Sequence, residues 1–298
     1  MSKPILKTTN NNLNKLLETQ IDQKKIVKKI KANSFLALII ERYQITDTEI
    51  FKYLPQLLTL EQEKHKDNLI WETTIYRNKQ GKLSFIKELR KTNLTNEYKI
   101  KQNILFKEYS SYLNDDILSL ELLESFHDYP EIYDYLSDFY NDKSNLACLY
   151  LTGSIDSKRS YILSLIANNY AIKDKRTAFL DINLLEDKLK RSFNKNTLDI
   201  DVLLEDLAAL DVVIFDEIGL KQLSMWFIDS FFLPLINQRF QSKGLTYFGS
   251  YYNFDELGKQ LFKRGASGES LDPKGPLAKK LIYLIDQLSQ EKVWINHE

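Results

Sequence analysis

The chain has 298 residues, 43% of them hydrophobic and 12% aromatic, and Lys+Arg and Asp+Glu balance at 41 each. That length favours about two domains and that apolar content supplies a core. A balanced charge excludes a global pull toward nucleic acid or membrane, so any nucleic-acid contact must come from a local patch.

Residues 1–12 are mostly polar and read as a frayed end. The start, MSKPILKTTNNNLNKLL, lacks the apolar core of a signal peptide, and no run approaches the ~18 apolar residues of a membrane span, so a cytoplasmic protein is expected, with no membrane partner. From about Leu13 to Lys64 the spacing predicts helices. In KKIVKKIKANSFLALIIERY, Ile26, Ile30, Phe35, Leu36, Leu38 and Ile39 fall on an apolar face. Lys24, Lys25, Lys28, Lys29 and Lys31 form a basic stripe that reads as a solvated face. Thr46-Asp47-Thr48-Glu49 has capping-box spacing ahead of IFKYLPQLLTL, which Pro55 should kink or divide. Two β-rich runs then flank Asn78-Lys79-Gln80-Gly81, a hairpin signal. The polar KTNLTNEYKIKQNI reads as a linker. The expected parts are a helical domain with a β-hairpin at 1–95, a linker at 96–109 and an α/β domain at 110–298.

Beyond residue 104, helices alternate with apolar strands. Strands are expected at 146–152, 177–182, 211–216, 245–251 and 292–296, with helices at 131–141, 160–171, 183–193, 201–209, 224–241 and 276–289. Such alternation means a parallel, doubly wound α/β sheet, here of five strands with helices on both faces. Cys148 is the single cysteine, which excludes an internal disulfide and a cysteine-based metal site; within LACLYL it reads as a buried, inert thiol. Ligands of such sheets bind outside the carboxyl ends of the strands. The two most polar strand ends are Gly153–Ser160 and Asp216-Glu217.

The stretch LYLTGSIDSKRSYILSLIANNYA has the layout of a phosphate-binding loop, but G-x-x-x-x-G-K-[ST] reads here as Gly153, Ser154, Ile155, Asp156, Ser157, Lys158, Arg159, Ser160. Lys158 stands where the second glycine belongs and Arg159 where the lysine belongs. Backbone N–H groups must close around a phosphate, and a Cβ obstructs that. Asp156 adds a carboxylate among the phosphates. Like charges ~4 Å apart repel by about 1 kcal/mol in water and about 4 kcal/mol at an effective dielectric of roughly 20. Arg159 is a broad planar fork, not a compact ammonium. Ser160 keeps the hydroxyl that touches magnesium in such loops. DVVIFDEIG has the form of the carboxylate-bearing partner strand: Asp216 would hold Mg²⁺ and Glu217 would polarise the attacking water. The candidate site is therefore Gly153, Lys158, Arg159, Ser160 and Asp216 for ATP, Ser160 and Asp216 for magnesium, and Glu217 for catalysis.

These residues resemble a known family, the bacterial replicative-helicase loaders of the DnaI/DnaC type in the AAA+ superfamily. The resemblance is collinear over about 110–298. LNDDILSLELLESFHDYPEIYDYLSDFY is similar to the family's helical lead-in, and FLDINLLEDKLKRSF to its second strand and following helix. DVVIFDEIGLKQLSMWFIDSFFLPLINQRF carries the family's spacing with Trp226, Asp229 and Arg239 in place. LTYFGSYYNFDEL resembles the sensor-1 strand and GPLAKKLIYLIDQLSQEKVWIN the C-terminal lid helix and last strand. The alignment also marks departures. Tyr251 replaces the sensor-1 asparagine, Lys280 and Leu284 occupy the arginine places of the lid helix, and the chain stops at Asn296-His297-Glu298, before the family's basic end. The N-terminal half resembles the helicase-binding domain of the Gram-positive loader without its zinc cysteines, implying a zinc-free version held by apolar packing.

The resemblance implies a primosomal protein of DNA replication that binds the replicative DnaB-type helicase through residues 1–95 and assists its placement on DNA. The altered loop, sensor and finger imply little or no ATP hydrolysis. Two alternatives stay open: an active or nucleotide-switched AAA+ ATPase loader, and a non-enzymatic scaffold or decoy holding other primosome or initiator proteins. For single-stranded DNA the candidate contacts are Lys221, Arg239, Lys243, Lys259, Lys263 and Arg264. KRGASGESLDPKGP, from Lys263, reads as a disordered loop.

Overall fold

The structure, a computed structural model, describes residues 23–195, 199–261 and 275–295. The frayed end expected at residues 1–12, the loop expected from Lys263 and the terminus at Asn296 lie outside the described residues. Chain contacts divide the molecule into two compact units, 1–96 and 97–298.

The first unit contains helices α1 (residues 23–32), α2 (Ser34–Arg42), α3 (Asp47–Lys52) and α4 (Leu54–Lys64), then strands β1 (Trp71–Arg77) and β2 (Leu83–Leu89). Asn33 breaks α1 from α2, its side chain accepting from Phe35 and Leu36 N–H. The new helix has its own phase, so Leu38, expected on the apolar face, is 66% exposed. Thr46 and Glu49 form the expected capping box. Pro55 divides rather than kinks: it sits in the first turn of α4, where a missing N–H costs nothing. Strands β1 and β2 pair antiparallel, with Gly81 at φ +77° in the turn. Val27, Ile30, Leu36, Ile50, Leu57, Ile75 and Leu83 make the apolar core between helices and hairpin. Arg77 clasps the hairpin to the α2–α3 turn, donating to Glu49 at 2.8 Å and to Tyr43 O at 2.9 Å. That arginine, with the Thr46 backbone, holds the Glu49 carboxyl down at about 2.

The second unit is built on a parallel sheet in the order β3-β5-β6-β7-β4-β8, formed by β3 (Ile104–Leu105), β4 (Leu149–Gly153), β5 (Thr177–Asp181), β6 (Val212–Ile218), β7 (Leu245–Ser250) and β8 (Glu291–Ile295). The expected parallel α/β class holds, with six strands rather than five. The added β3 falls in the segment expected as a linker. Residues 96–109 carry most of helix α5 (Asn93–Asn103), then β3 and a short 3₁₀ turn at Lys107–Tyr109. Two residues cannot display a strand's alternation, and the polarity of this run has another use. Lys99 Nζ donates to Ile172 O and Asp174, and Asn103 Nδ2 to Ala171 O, satisfying carbonyls that a helix end leaves open.

Helices α6 (Leu120–Glu124), α7 (Pro130–Tyr140), α8 (Arg159–Ile172), α9 (Ile182–Lys195), α10 (Ile200–Ala208), α11 (Met225–Phe227), α12 (Leu233–Ser242), α13 (Phe254–Leu261) and α14 (Pro276–Leu288) cover both faces. One apolar cluster joins α6, α7 and α8 to the sheet, and the other joins α9, α10, α12, α13 and α14. Strands buried on both sides read as continuous apolar runs, which is why their positions are plain from sequence. The run expected as one helix at 224–241 contains a π-helical turn, Ile228–Phe232. Pro234 follows it, and a proline without N–H cannot continue the regular ladder.

Candidate nucleotide site

The carboxyl ends of β4, β6 and β7 meet where an open parallel sheet binds its ligands. After Gly153, residues 154–158 turn into α8. The turn is tied by its own groups: Ser157 N and Oγ both donate to Ser154 O, at 3.2 and 2.7 Å, and Ser154 Oγ donates to Asp156. Only glycine fits at 153, since a Cβ there would lie 2.2 Å from Ser157 Oγ. On β6, the register with β7 shifts between Phe215 and Ile218, and Glu217 takes a left-handed backbone at φ +65°. Such a φ is uncommon for a residue with a side chain. Asp216 is 1% exposed and Glu217 is half-buried.

Arg159 opens α8 and is 2% exposed. Its Nε donates to Asp216 Oδ1 at 2.9 Å, its Nη2 to Glu217 Oε1 at 2.7 Å and its Nη1 to Gly153 O at 2.9 Å. The guanidinium also lies over the Tyr251 ring, 4.2 Å from its centroid, well within cation–π range. The Tyr251 hydroxyl donates to Glu217 Oε2 at 2.7 Å. Burial opposes the Arg159 charge, but Asp216, Tyr251 and Glu217 outweigh it and hold the guanidinium above its ordinary value. Burial pushes the Glu217 carboxyl above the usual range, against the hydrogen bond from Tyr251, and the neighbouring Asp216 adds to the rise.

The other predicted residues sit around this cluster. Lys158 reaches the Phe126 and Tyr129 rings, 5.3 and 5.8 Å from their centroids. Ser160 lies half-buried in the first turn of α8. Asp216 Oδ2 is buried and has no hydrogen-bond partner among the described residues. Asp181 pairs in register with Asp216, but its Oδ1 accepts from Asn183 N and Leu184 N at the start of α9.

A magnesium–nucleotide site of the phosphate-loop kind needs a cation aimed at the phosphates, a carboxylate turned to the metal and inward loop N–H groups. The structure brings Gly153, Arg159, Asp216 and Glu217 together, with Lys158 directed to aromatic rings. One guanidinium already bridges both acids and the first loop carbonyl. As placed, these residues do not fit a magnesium–nucleotide. Among the described residues no group of three or more His, Cys, Asp or Glu could hold a metal ion. What sequence reasoning missed is that Arg159 and Tyr251 compensate each other. The readable part is that Arg159 and Tyr251 both depart from the expected residue types close to strand ends; their contact is not visible in local spacing.

Other candidates are placed differently. Arg239 is 0% exposed, so its proposed contact with DNA is overturned. Its guanidinium donates to the carbonyls of Ala208, Leu210 and Leu245 and to Thr246 Oγ1. Lys221, Lys243 and Lys259 are exposed, and Lys263 and Arg264 lie outside the described residues. In α14, Lys280 is exposed and Leu284 is buried. No described helix is long and apolar enough to cross a membrane.

No protein-family model matches the chain. It is 26% identical over 191 residues to the replicative helicase loader DnaI of Bacillus subtilis (strain 168), covering 62% of this chain and 60% of that protein, so the match spans less than two thirds of the relative. Among solved structures, a crystal structure of DnaI aligns with a TM-score of 0.47 at 20% identity, covering 67% of this chain and 94% of that one. A crystal structure of the DnaC helicase loader aligns with a TM-score of 0.42 at 14% identity, covering 64% and 98%. By sequence, this chain is similar to the replicative helicase loader DnaI.

Proposed function

We propose that this chain is a helicase-loader-like primosomal protein, which binds the replicative DnaB-type helicase through residues 1–95 and assists its placement on DNA without efficient ATP hydrolysis. The similarity to DnaI over 191 residues carries the loader role. The hydrogen bonds from Arg159 to Asp216 and Glu217 support the part concerning hydrolysis, because the metal-holding and water-polarising acids are both engaged. Any single-strand contact falls to exposed lysines such as Lys221, Lys243 and Lys259. Tagged full-length chain is expected to capture the DnaB-type helicase from a purified mixture, with and without ATP. Absence of capture in both conditions sinks the loader reading. Phosphate release at the rate of an intact AAA+ enzyme sinks the non-hydrolysing part.

One observation favours a nucleotide-switched loader as the second reading. Both acids of the β6 end are retained, and Asp216 keeps one oxygen without a partner among the described residues. Helicase capture that appears only with ATP would decide for it.

A further inference from the structure

Two changed positions of the nucleotide site, Arg159 and Tyr251, form one contact set with its two retained acids. Arg159 in the loop, Asp216 and Glu217 at the end of β6, and Tyr251 after β7 touch each other directly. Through Gly153 O the same guanidinium also reaches the end of β4. A single buried side chain on α8 therefore ties together three neighbouring strand ends. The close fit extends to Gly249 on β7, where a Cβ would lie 2.2 Å from Asp216 Oδ1.

We propose that Arg159 is a tethered counter-ion: it does permanently what a bound cation does in a working phosphate-loop site, and so fixes this unit in one arrangement that nucleotide does not alter. The physical case has three parts. A buried carboxylate beside a half-buried one is costly without positive charge nearby. Arginine supplies that charge in a planar fork with five donors, and three of its nitrogens are used here on three acceptors. Because it is covalently attached, no concentration of metal or nucleotide has to be maintained. Tyr251 completes the set where a sensor asparagine would stand, since its ring covers the cation and its hydroxyl serves the second acid. Lys158, the other cation of the loop, is occupied by Phe126 and Tyr129 and does not compete.

Removing the guanidinium should uncover a cation site made by Asp216 and Glu217. The test compares full-length wild type with Arg159→Met in EDTA, in millimolar Mg²⁺–ATP and in Mn²⁺ alone, reading the thermal midpoint and Mn²⁺ binding by electron paramagnetic resonance. The wild-type midpoint is expected to be the same in all three, with no Mn²⁺ retained. Arg159→Met is expected to melt several degrees lower in EDTA, to recover part of that loss in Mn²⁺, and to bind Mn²⁺ at least tenfold more tightly than wild type. Arg159→Gln, which removes the charge but keeps hydrogen-bonding groups, takes the place of the methionine variant if that chain does not fold, with the same direction of response. A wild-type midpoint that rises in Mg²⁺–ATP, or a variant that ignores Mn²⁺, overturns the proposal. Neither readout depends on helicase capture, so its failure and that of the loader reading are distinguishable.

Discussion

The two ends of the central sheet each bury an arginine, and they do so in opposite ways. At the amino end, Arg239 is 0% exposed and satisfied by backbone carbonyls and the Thr246 hydroxyl. Among the described residues no carboxylate hydrogen-bonds it, and burial pulls the guanidinium down to about 10, which leaves it charged at neutral pH. At the carboxyl end, Arg159 is equally buried but satisfied by two carboxylates and one carbonyl. Carbonyls at strand and helix ends are acceptors the fold always has to satisfy. Paired carboxylates at a switch point are groups that otherwise do chemistry. The first arginine thus satisfies backbone acceptors, and the second engages two carboxylates at the end of β6.

Substitutions should separate the two ends. The largest effect is expected at Arg239→Met, which leaves several buried carbonyls unpaired and should cost about 5 kcal/mol in urea unfolding. Arg239→Lys should recover only part of this, since an ammonium lacks the fork. Arg159→Met should cost about 3 kcal/mol, because two buried acids lose their cation. Adding Asp216→Asn and Glu217→Gln to that variant should restore most of the loss, a rescue that has no counterpart at Arg239. Equal behaviour of the two ends in this comparison would break the distinction.

Smaller effects are expected from the glycines packed against each arginine cluster. A Cβ at Gly244 would lie 2.6 Å from Arg239 Cζ, and one at Gly249 would lie 2.2 Å from Asp216 Oδ1. Each alanine variant should lose about 1–3 kcal/mol by overpacking. The smallest effect concerns pH. Glu217 is raised above 4.5 in the folded chain, so over the window above 4.5 the folded chain holds more of this proton than the unfolded chain. Stability owed to Glu217 should therefore fall as pH rises through that window. A Glu217→Gln variant should show a thermal midpoint that changes less between pH 4 and 7 than that of wild type.

Much of the α/β unit is legible from sequence because its strands are apolar on both faces. The runs around Leu149–Gly153, Val212–Ile218 and Leu245–Ser250 have few other readings. The short β3 is not legible, since Ile104-Leu105 gives no period and follows a polar helix. Leu38 was misplaced because one residue, Asn33, resets the helical phase. At the candidate site, the residue types were readable but their pairing was not. Arg159, Asp216, Glu217 and Tyr251 are brought together by sheet order, and local spacing carries no information about contacts across strands. Arg239 was misread for the same reason: an arginine late in an amphipathic helix looks solvent-facing until the strand ends beneath it are known.

The outer strands of the sheet carry a consequence of another kind. A sheet edge is a template on which a second chain can add. On one side β3 offers only two residues. On the other, β8 offers five, with Trp294 59% exposed and Lys292 exposed beside it. Lys292 pairs with Asp286 at 2.7 Å and lies over the Phe254 ring at 4.7 Å. A strand added there would lie about 4.8 Å from β8, next to the Lys292 side chain. A lysine on an edge strand, held by its own ion pair and ring contact, is a feature that works against such addition.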